Sequence, residues 1–142
     1  ARQSDENLAL LLIDLDHFKP INDRHGHDAG DLLLQHIARR LREQVRGSDT
    51  VARLGGDEFA VLIGGPDAQH YAEDVAKRLL AELPRPVDYA GHSLTVSISI
   101  GAALYPQHAE HFADLYKAAD QALYQAKSAG RSGYAAFEPS AV

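Results

Sequence analysis

The chain reads TVARLGGDEFAVLI at residues 50–63, with an apolar, strand-favouring run on each side of Gly55-Gly56. Glycine accepts positive φ at little conformational cost, so a glycine pair between two such runs predicts a tight β-hairpin. We expect strands over residues 50–54 and 59–63, with Asp57 and Glu58 at the turn. The hairpin therefore predicts two carboxylates held at the tip of a strand pair.

A further pair of carboxylates follows an uninterrupted apolar run over residues 8–13, which ends at Asp14 and is followed by Asp16. A run of this length predicts a strand buried on both faces. If that strand neighbours the hairpin, Asp14 and Asp57 can converge on one cation, and magnesium usually takes one or two protein carboxylates plus phosphates. The alternative is that aspartates near turns only cap and solvate them. Spacing alone leaves both interpretations open.

The rest of the chain is divided by helical periodicity and by breaking residues. Pro20 predicts a short helix or irregular turn over residues 16–25. Longer helices are predicted over residues 28–45, 68–83 and 112–129, and Gly130 ends the last of them. Alternation predicts one strand over residues 94–103, and residues 134–137 predict an edge strand. This order predicts an α/β (α+β) fold with a central mixed, partly antiparallel sheet of about five strands flanked by helices.

The composition excludes several classes of protein. With 142 residues, 45% of them apolar and 24% charged, the chain fits a single domain over residues 1–142. A net charge of -6 argues against binding a nucleic-acid polymer, which usually requires a basic face. The absence of cysteine excludes a disulfide framework and a thiolate metal site. The chain begins at Ala1 and contains no methionine, so we interpret it as a piece of a longer protein with sensory or effector domains elsewhere.

Five blocks of sequence resemble, in order, the signatures of the GGDEF family of diguanylate cyclases. They are DLDHFKPIND at 14–23, HGHDAGD at 25–31, RLGGDEF at 53–59, SISIGA at 97–102 and ADQALYQAK at 119–127. A lone pentamer would be a weak signal, but five ordered blocks span roughly residues 8–137. The resemblance implies a fold similar to class III nucleotidyl cyclases and the polymerase palm.

The resemblance also implies roles for individual residues. Asp14 and Asp57 would hold Mg²⁺ (or Mn²⁺) with help from the Leu15 carbonyl, and Asp57 and Glu58 would be catalytic. Which of these two takes the proton stays open. The residues implied to contact the triphosphate are Phe18 (through its backbone N–H), Lys19, Gly55, Gly56, Lys127 and Arg131.

Asn22 and Asp31 are implied to read guanine. Guanine presents two donors, N1–H and the N2 amine, to a carboxylate, whereas adenine presents a bare acceptor. An unpaired buried polar group costs about 1–3 kcal/mol, enough for roughly ten- to hundredfold discrimination. Without the resemblance, the preferred interpretation is that Asn22 is a turn residue and that Asp31 is an acid favoured in the first turn of a helix.

A second site is implied by Arg46-Gly47-Ser48-Asp49, which matches the family's RxxD inhibitory motif for the product, cyclic di-GMP. The planar fork of arginine suits bidentate contacts to guanine or phosphate. The alternative is that Arg46 complements a helix C-terminus and Asp49 lies in a turn.

The activity implied is the condensation of two GTP into cyclic di-GMP and two pyrophosphates. Because the product is a symmetric ring, a homodimer is needed, each domain bringing one GTP. The alternative is a non-catalytic regulatory module that binds GTP or cyclic di-GMP and controls a neighbouring domain, for example a phosphodiesterase. We expect a cytoplasmic location, either free or as the cytoplasmic part of a membrane-anchored protein.

Overall fold

The computed structural model describes residues 7–107, 109, 111–131 and 133–137. The helices in these residues are α1 (Lys19–His25), α2 (His27–Glu43), α3 (Ala68–Glu82) and α4 (Phe112–Ser128). The strands are β1 (Leu8–Asp16), β2 (Thr50–Gly55), β3 (Glu58–Gly64), β4 (Val87–Tyr89), β5 (His92–Leu94), β6 (Ser97–Tyr105) and β7 (Tyr134–Ala136). The predicted mixed sheet flanked by helices is confirmed.

The apolar run of β1 forms the centre of the main sheet, whose strand order is β2-β3-β1-β6-β7. β1 pairs antiparallel with β3 on one side and with β6 on the other, and β7 pairs parallel with β6. The predicted hairpin is β2–β3, with β2 at the sheet edge. A central strand is covered on both faces, which explains why its sequence is continuously apolar.

Alternate residues of β1 belong to two different cores. Leu11 and Ile13 pack in the cluster that contains the buried faces of α2 and α3. Leu10 and Leu12 pack in the cluster that contains Leu115 and other buried residues of α4. The sheet therefore has α2 and α3 on one face and α4 on the other, and the residues of β1 that follow Leu12 at even positions, Asp14 and Asp16, face α4.

The prediction of one strand over residues 94–103 was wrong in its extent. Leu94 belongs to a separate two-stranded hairpin, β4–β5, and β6 begins at Ser97. The turn of this hairpin needs positive φ at Ala90 and Gly91, which the alternation of later residues does not signal. Within β6, Ser99 is fully buried. β1 likewise runs on to Asp16, so both of its aspartates lie inside the strand.

Arg40 of α2 forms hydrogen bonds with the backbone at the C-terminal end of α3. Its guanidinium donates to the carbonyl oxygens of Leu83 (3.2 Å), Arg85 (2.6 Å) and Pro86 (3.3 Å), which lie at or beyond the α3 C-terminus.

We predict that Arg40→Met lowers the free energy of unfolding by about 1–2 kcal/mol, because charge-assisted hydrogen bonds at a partly exposed site are lost. Urea denaturation measures the change. Arg39→Met, at an exposed neighbour, should change it by less than about 0.5 kcal/mol, and equal losses in both variants would contradict the assignment.

Candidate active site

The sheet brings the carboxylates of Asp14 and Asp57 together. Because β1 and β3 are adjacent, Asp14 is the direct cross-strand partner of Glu58. The Leu15 N–H donates to the Asp57 carbonyl oxygen at 3.1 Å, which fixes the hairpin turn to the end of β1. Burial raises the pKa of Asp57, and the negative charge of Asp14 raises it further. The structure therefore places Asp14 and Asp57 next to each other.

The glycine turn has the backbone that its sequence predicts. Gly55 and Gly56 have φ of 149° and 48°, and a Cβ built on either would meet no heavy atom within 4 Å. The turn is held by Arg53, whose Nε and Nη2 donate to the Gly56 carbonyl oxygen at 3.0 and 2.7 Å. Sequence reasoning gave Arg53 no role of its own. Its position three residues before the second glycine is the signal that could have indicated a turn clamp.

Glu58 faces α4. Burial raises its pKa, followed by the negative charges of Asp14 and Asp120. Glu58 in turn is the main cause of a raised pKa at the Tyr116 phenol of α4. Asp14, Asp57, Glu58 and Asp120 thus form a concentration of negative charge between the hairpin turn and α4.

The positive charges of this region come from the end of α4. Lys127 donates from Nζ to Asp14 Oδ2. Arg131 Nε lies 3.8 Å from Asp16 Oδ1. Both residues, predicted to contact phosphate, therefore contact the carboxylates of β1 in this structure.

Asp16 is a buried carboxylate to which sequence reasoning assigned no role. It accepts hydrogen bonds from the hydroxyls of Ser97 (2.9 Å) and Ser99 (2.9 and 3.1 Å) of β6. These donors explain why Ser99 is buried within an otherwise apolar strand. The sequence signal was the alternation of serines in 97–99, opposite an aspartate that follows a buried strand.

The donor set fits a hard divalent cation. Asp14 of β1 and Asp57 of the adjacent hairpin turn supply two carboxylates, next to the backbone of Leu15. The described residues contain no group of three or more histidine, cysteine, aspartate or glutamate side chains arranged for a metal. Two carboxylates fit Mg²⁺, because it usually keeps several waters and takes only one or two carboxylates plus substrate phosphates.

The predicted base-reading residues lie on different helices. Asn22 is in α1, and its Oδ1 is buried without a hydrogen-bond partner among the described residues. Gly30 of α2 packs directly against it, because a Cβ at Gly30 would overlap Asn22 Oδ1. Asp31 is exposed and lines a cavity of about 280 Å³ between α2 and β2, together with Leu34 and others. Asn22 does not contribute to the lining of that cavity.

The residues predicted to meet the β- and γ-phosphates open α1. Phe18 is buried at the N-cap position, and Lys19 is the exposed first residue of the helix. They follow β1 directly, so the end of the central strand, the start of α1 and the hairpin turn lie at the same edge of the sheet.

The predicted inhibitory pair lies between α2 and β2, and its members contact each other. Arg46 Nη2 is 3.4 Å from Asp49 Oδ1, and the Arg46 N–H donates to Asp49 Oδ2 at 2.9 Å. The guanidinium also lies 3.9 Å from the ring centre of Tyr71 and donates to the Gly64 carbonyl oxygen at 3.3 Å. Arg46 keeps 46% of its side chain exposed, whereas Asp49 keeps 1%.

The sequence matches the family model described as "Diguanylate cyclase, GGDEF domain" over residues 1–133. The chain belongs to this family. The solved GGDEF domain of TpbB (YfiN) from Pseudomonas aeruginosa superposes on it with a TM-score of 0.91 and 46% identity, covering 97% of this chain and 81% of that one. The GGDEF domain of DgcB from Caulobacter crescentus, solved in complex with cyclic di-GMP, has a TM-score of 0.86 and 28% identity, covering 96% and 79%.

Two curated relatives carry this GGDEF domain as a part of a longer chain. Diguanylate cyclase TpbB of P. aeruginosa is 48% identical over 132 residues, which cover 92% of this chain and 30% of TpbB. The bifunctional diguanylate cyclase/cyclic di-GMP phosphodiesterase MucR of the same species is 44% identical over 140 residues, covering 99% of this chain and 20% of MucR. Among the described residues, no helix is long and apolar enough to cross a membrane.

Proposed function

We propose that this GGDEF domain is a diguanylate cyclase that condenses two GTP into cyclic di-GMP and two pyrophosphates. The observation that carries the proposal is the convergence of Asp14, Asp57 and Glu58 at an intact glycine turn. Family members that have lost catalysis would be expected to lack one of these groups. This chain retains the carboxylates, both glycines, Lys127 and Arg131.

The reaction consists of two equivalent phosphoryl transfers. The 3′-hydroxyl oxygen of one GTP forms a bond to the α-phosphorus of the other, and the bond from that phosphorus to the bridging oxygen of pyrophosphate breaks. The hydroxyl proton passes to Asp57 or Glu58, directly or through water. The raised pKa of both carboxyls supports either as the acceptor, because a base closer to neutrality holds a proton more readily.

A divalent cation bound by Asp14 and Asp57 would acidify the attacking hydroxyl and hold the attacking and leaving oxygens in line. The protein's own part is to fix the two carboxylates. The Leu15–Asp57 backbone hydrogen bond and the Arg53–Gly56 contacts hold the turn in position before the substrate arrives. Such preorganisation reduces the cost of ordering the site during the reaction.

The phosphates are proposed to contact Phe18 (backbone N–H), Lys19, Lys127 and Arg131, with Gly55 and Gly56 allowing a close approach. The glycines support this close approach, because neither has a side chain that would separate its backbone from a triphosphate. Guanine is proposed to be read by Asn22 and Asp31. The buried, unpaired Oδ1 of Asn22 supports this assignment, because it is an acceptor that matches the donors of the guanine edge.

We predict that Gly30→Ala reproduces the binding defect of Asn22→Ala. The new methyl group would displace the Asn22 carboxamide, which can rotate away because it is the end of a side chain. The fold should tolerate the change, since alanine is favoured over glycine in a helix by about 1 kcal/mol. The preference for GTP over ATP analogues should fall roughly tenfold in calorimetric titrations. Unchanged selectivity in both variants would contradict a role of Asn22 in reading guanine.

One domain contributes half of the catalyst, because each is proposed to present one GTP to the other. We also propose that the domain belongs to a longer protein in which neighbouring sensory or effector domains control this encounter. The two curated relatives, of which the chain spans 20% and 30%, support that arrangement.

Product inhibition through Arg46 and Asp49 is proposed as well. The guanidinium of Arg46 is partly exposed and stacks on Tyr71, which leaves a face for a planar or anionic ligand. The cyclic di-GMP complex of DgcB supports a product site in a related domain. Adding cyclic di-GMP to the parent protein should slow turnover, and Arg46→Ala should remove that effect.

The test is GTP turnover with Mg²⁺ at high protein concentration, with cyclic di-GMP detected by chromatography. Formation of product would establish the cyclase. The second candidate, a regulatory module that binds GTP without turnover, is favoured by the likeness to MucR, a protein that also carries a phosphodiesterase activity. It would be supported if an artificially dimerised protein bound GTP tightly and still formed no product.

A further inference from the structure

The ammonium group of Lys127 forms an ion pair with Asp14, the carboxylate that the proposed function assigns to a metal ion. Lys127 Nζ donates to Asp14 Oδ2, and the two side chains are only 30% and 15% exposed. The pair joins α4 to the central strand across 113 residues of sequence. In the nucleotide-free protein, Asp14 therefore already has a cation supplied by the chain itself.

The packing of α4 fixes where that cation lies. A Cβ at Gly101 would overlap backbone atoms of Ala119 and Leu123, so α4 lies directly against β6 at this point. Lys127 follows Leu123 by one helical turn and projects from the same side of the helix. Its reach to Asp14 is therefore set by backbone contact between a helix and a strand.

A second ion pair holds the end of α4 in register. Arg131 Nε lies 3.8 Å from Asp16 Oδ1, and the Asp16 side chain is fully buried. Asp14 and Asp16 are two residues apart on β1, about 7 Å, and face the same side of the sheet. Lys127 lies in the last turn of α4, whereas Arg131 lies three residues beyond the end of the helix and has a positive φ. The two cations thus meet two carboxylates on one face of β1, and serine hydroxyls hold Asp16 in place.

The charge around Asp14 gives the lysine a further effect. Asp57, Glu58 and Asp120 add negative charge beside Asp14. Lys127 is thus a counter-ion for the whole carboxylate group.

We propose that Lys127 is an exchanging counter-ion, which occupies Asp14 in the nucleotide-free protein and transfers to the triphosphate when GTP binds, releasing Asp14 for the divalent cation. The inference rests on the proposed function in its assignment of Asp14 to the cation and Lys127 to phosphate. Its consequence is that the cation alone binds weakly, because it must displace or approach an ammonium group. Nucleotide and cation then bind with positive coupling, which typically amounts to about 5- to 150-fold in affinity.

The test uses Mn²⁺ alone, titrated into nucleotide-free protein and followed by electron paramagnetic resonance. Lys127→Met should bind Mn²⁺ roughly tenfold more tightly than the parent. Lys127→Gln should behave in the same way, because it retains a hydrogen-bond donor but not the charge. Lys77→Met is the matched control, since it removes one positive charge from an exposed position on α3, on the opposite face of the sheet.

Whether the tighter Mn²⁺ binding occurs at Asp14 is checked with the double variant Asp14→Asn/Lys127→Met, in which the gain in affinity should disappear. Equal Mn²⁺ affinity in the parent and Lys127→Met, or no measurable binding to Lys127→Met, would overturn the exchange. So would an equal gain in Lys77→Met, which would indicate a general effect of net charge. These outcomes do not depend on turnover. If the parent forms cyclic di-GMP but Lys127→Met does not bind Mn²⁺ more tightly, the exchange alone is rejected. If Lys127→Met binds Mn²⁺ more tightly but the parent forms no cyclic di-GMP, the cyclase alone is rejected.

Discussion

Asp57→Asn is expected to lower cyclic di-GMP formation by at least about a thousandfold, equivalent to about 4 kcal/mol of transition-state stabilisation. Asparagine keeps the shape of the side chain but removes the negative charge beside Asp14, and with it both a cation ligand and a possible proton acceptor. The loss should appear in turnover measured by chromatography with saturating GTP and Mg²⁺.

The same variant should not be less stable than the parent. Burial and the charge of Asp14 raise the pKa of Asp57, so the folded protein disfavours its ionised form, and stability falls as pH rises through the folded-state pKa. Above that pH, asparagine removes the cost, and the melting temperature should be unchanged or higher. Asp88→Asn, at an exposed position on β4, is the control and should retain activity. A lower melting temperature for Asp57→Asn would attribute its inactivity to unfolding.

Gly101→Ala is expected to lower the free energy of unfolding by about 3 kcal/mol or more, because it overpacks the contact between β6 and α4. The new Cβ would lie 2.5 Å from Ala119 O and from Leu123 Cα, both backbone atoms that cannot rotate away. The helix would have to move off the sheet. For a domain of this size the melting temperature should fall by roughly 10 °C.

The matched control is Gly47→Ala, where a Cβ would meet no heavy atom within 4 Å. It should be neutral or stabilising by a few tenths of a kcal/mol, since alanine restricts the unfolded chain. A loss below about 1 kcal/mol for Gly101→Ala would contradict direct backbone packing of α4 on β6. Because the same contact sets the reach of Lys127, any folded Gly101→Ala protein should also bind GTP more weakly.

The positions of the elements were predictable because they depend on near neighbours. The apolar run of β1, the Gly55-Gly56 turn and the helical spacing of apolar residues in α2 and α4 each express a local backbone preference. The sequence did not show that Leu94 belongs to the β4–β5 hairpin and not to β6. A short hairpin whose turn has positive φ at Ala90 has little effect on the periodicity of apolar residues. The candidate site followed the same rule, since Asp14 follows the apolar run of β1 and Asp57 lies in the glycine turn between β2 and β3.

By itself, then, the sequence determined the helices, the strands of the main sheet, the glycine turn and the carboxylates at its tip, since each is encoded within a few consecutive residues. The tertiary structure alone decided which of these meet. Lys127 reaches Asp14 across 113 residues, Ser99 reaches Asp16 across 83, and Arg40 reaches the end of α3 across 43 to 46. Such contacts depend on the order of strands in the sheet and on which helix covers which face, and no local pattern of residues records either.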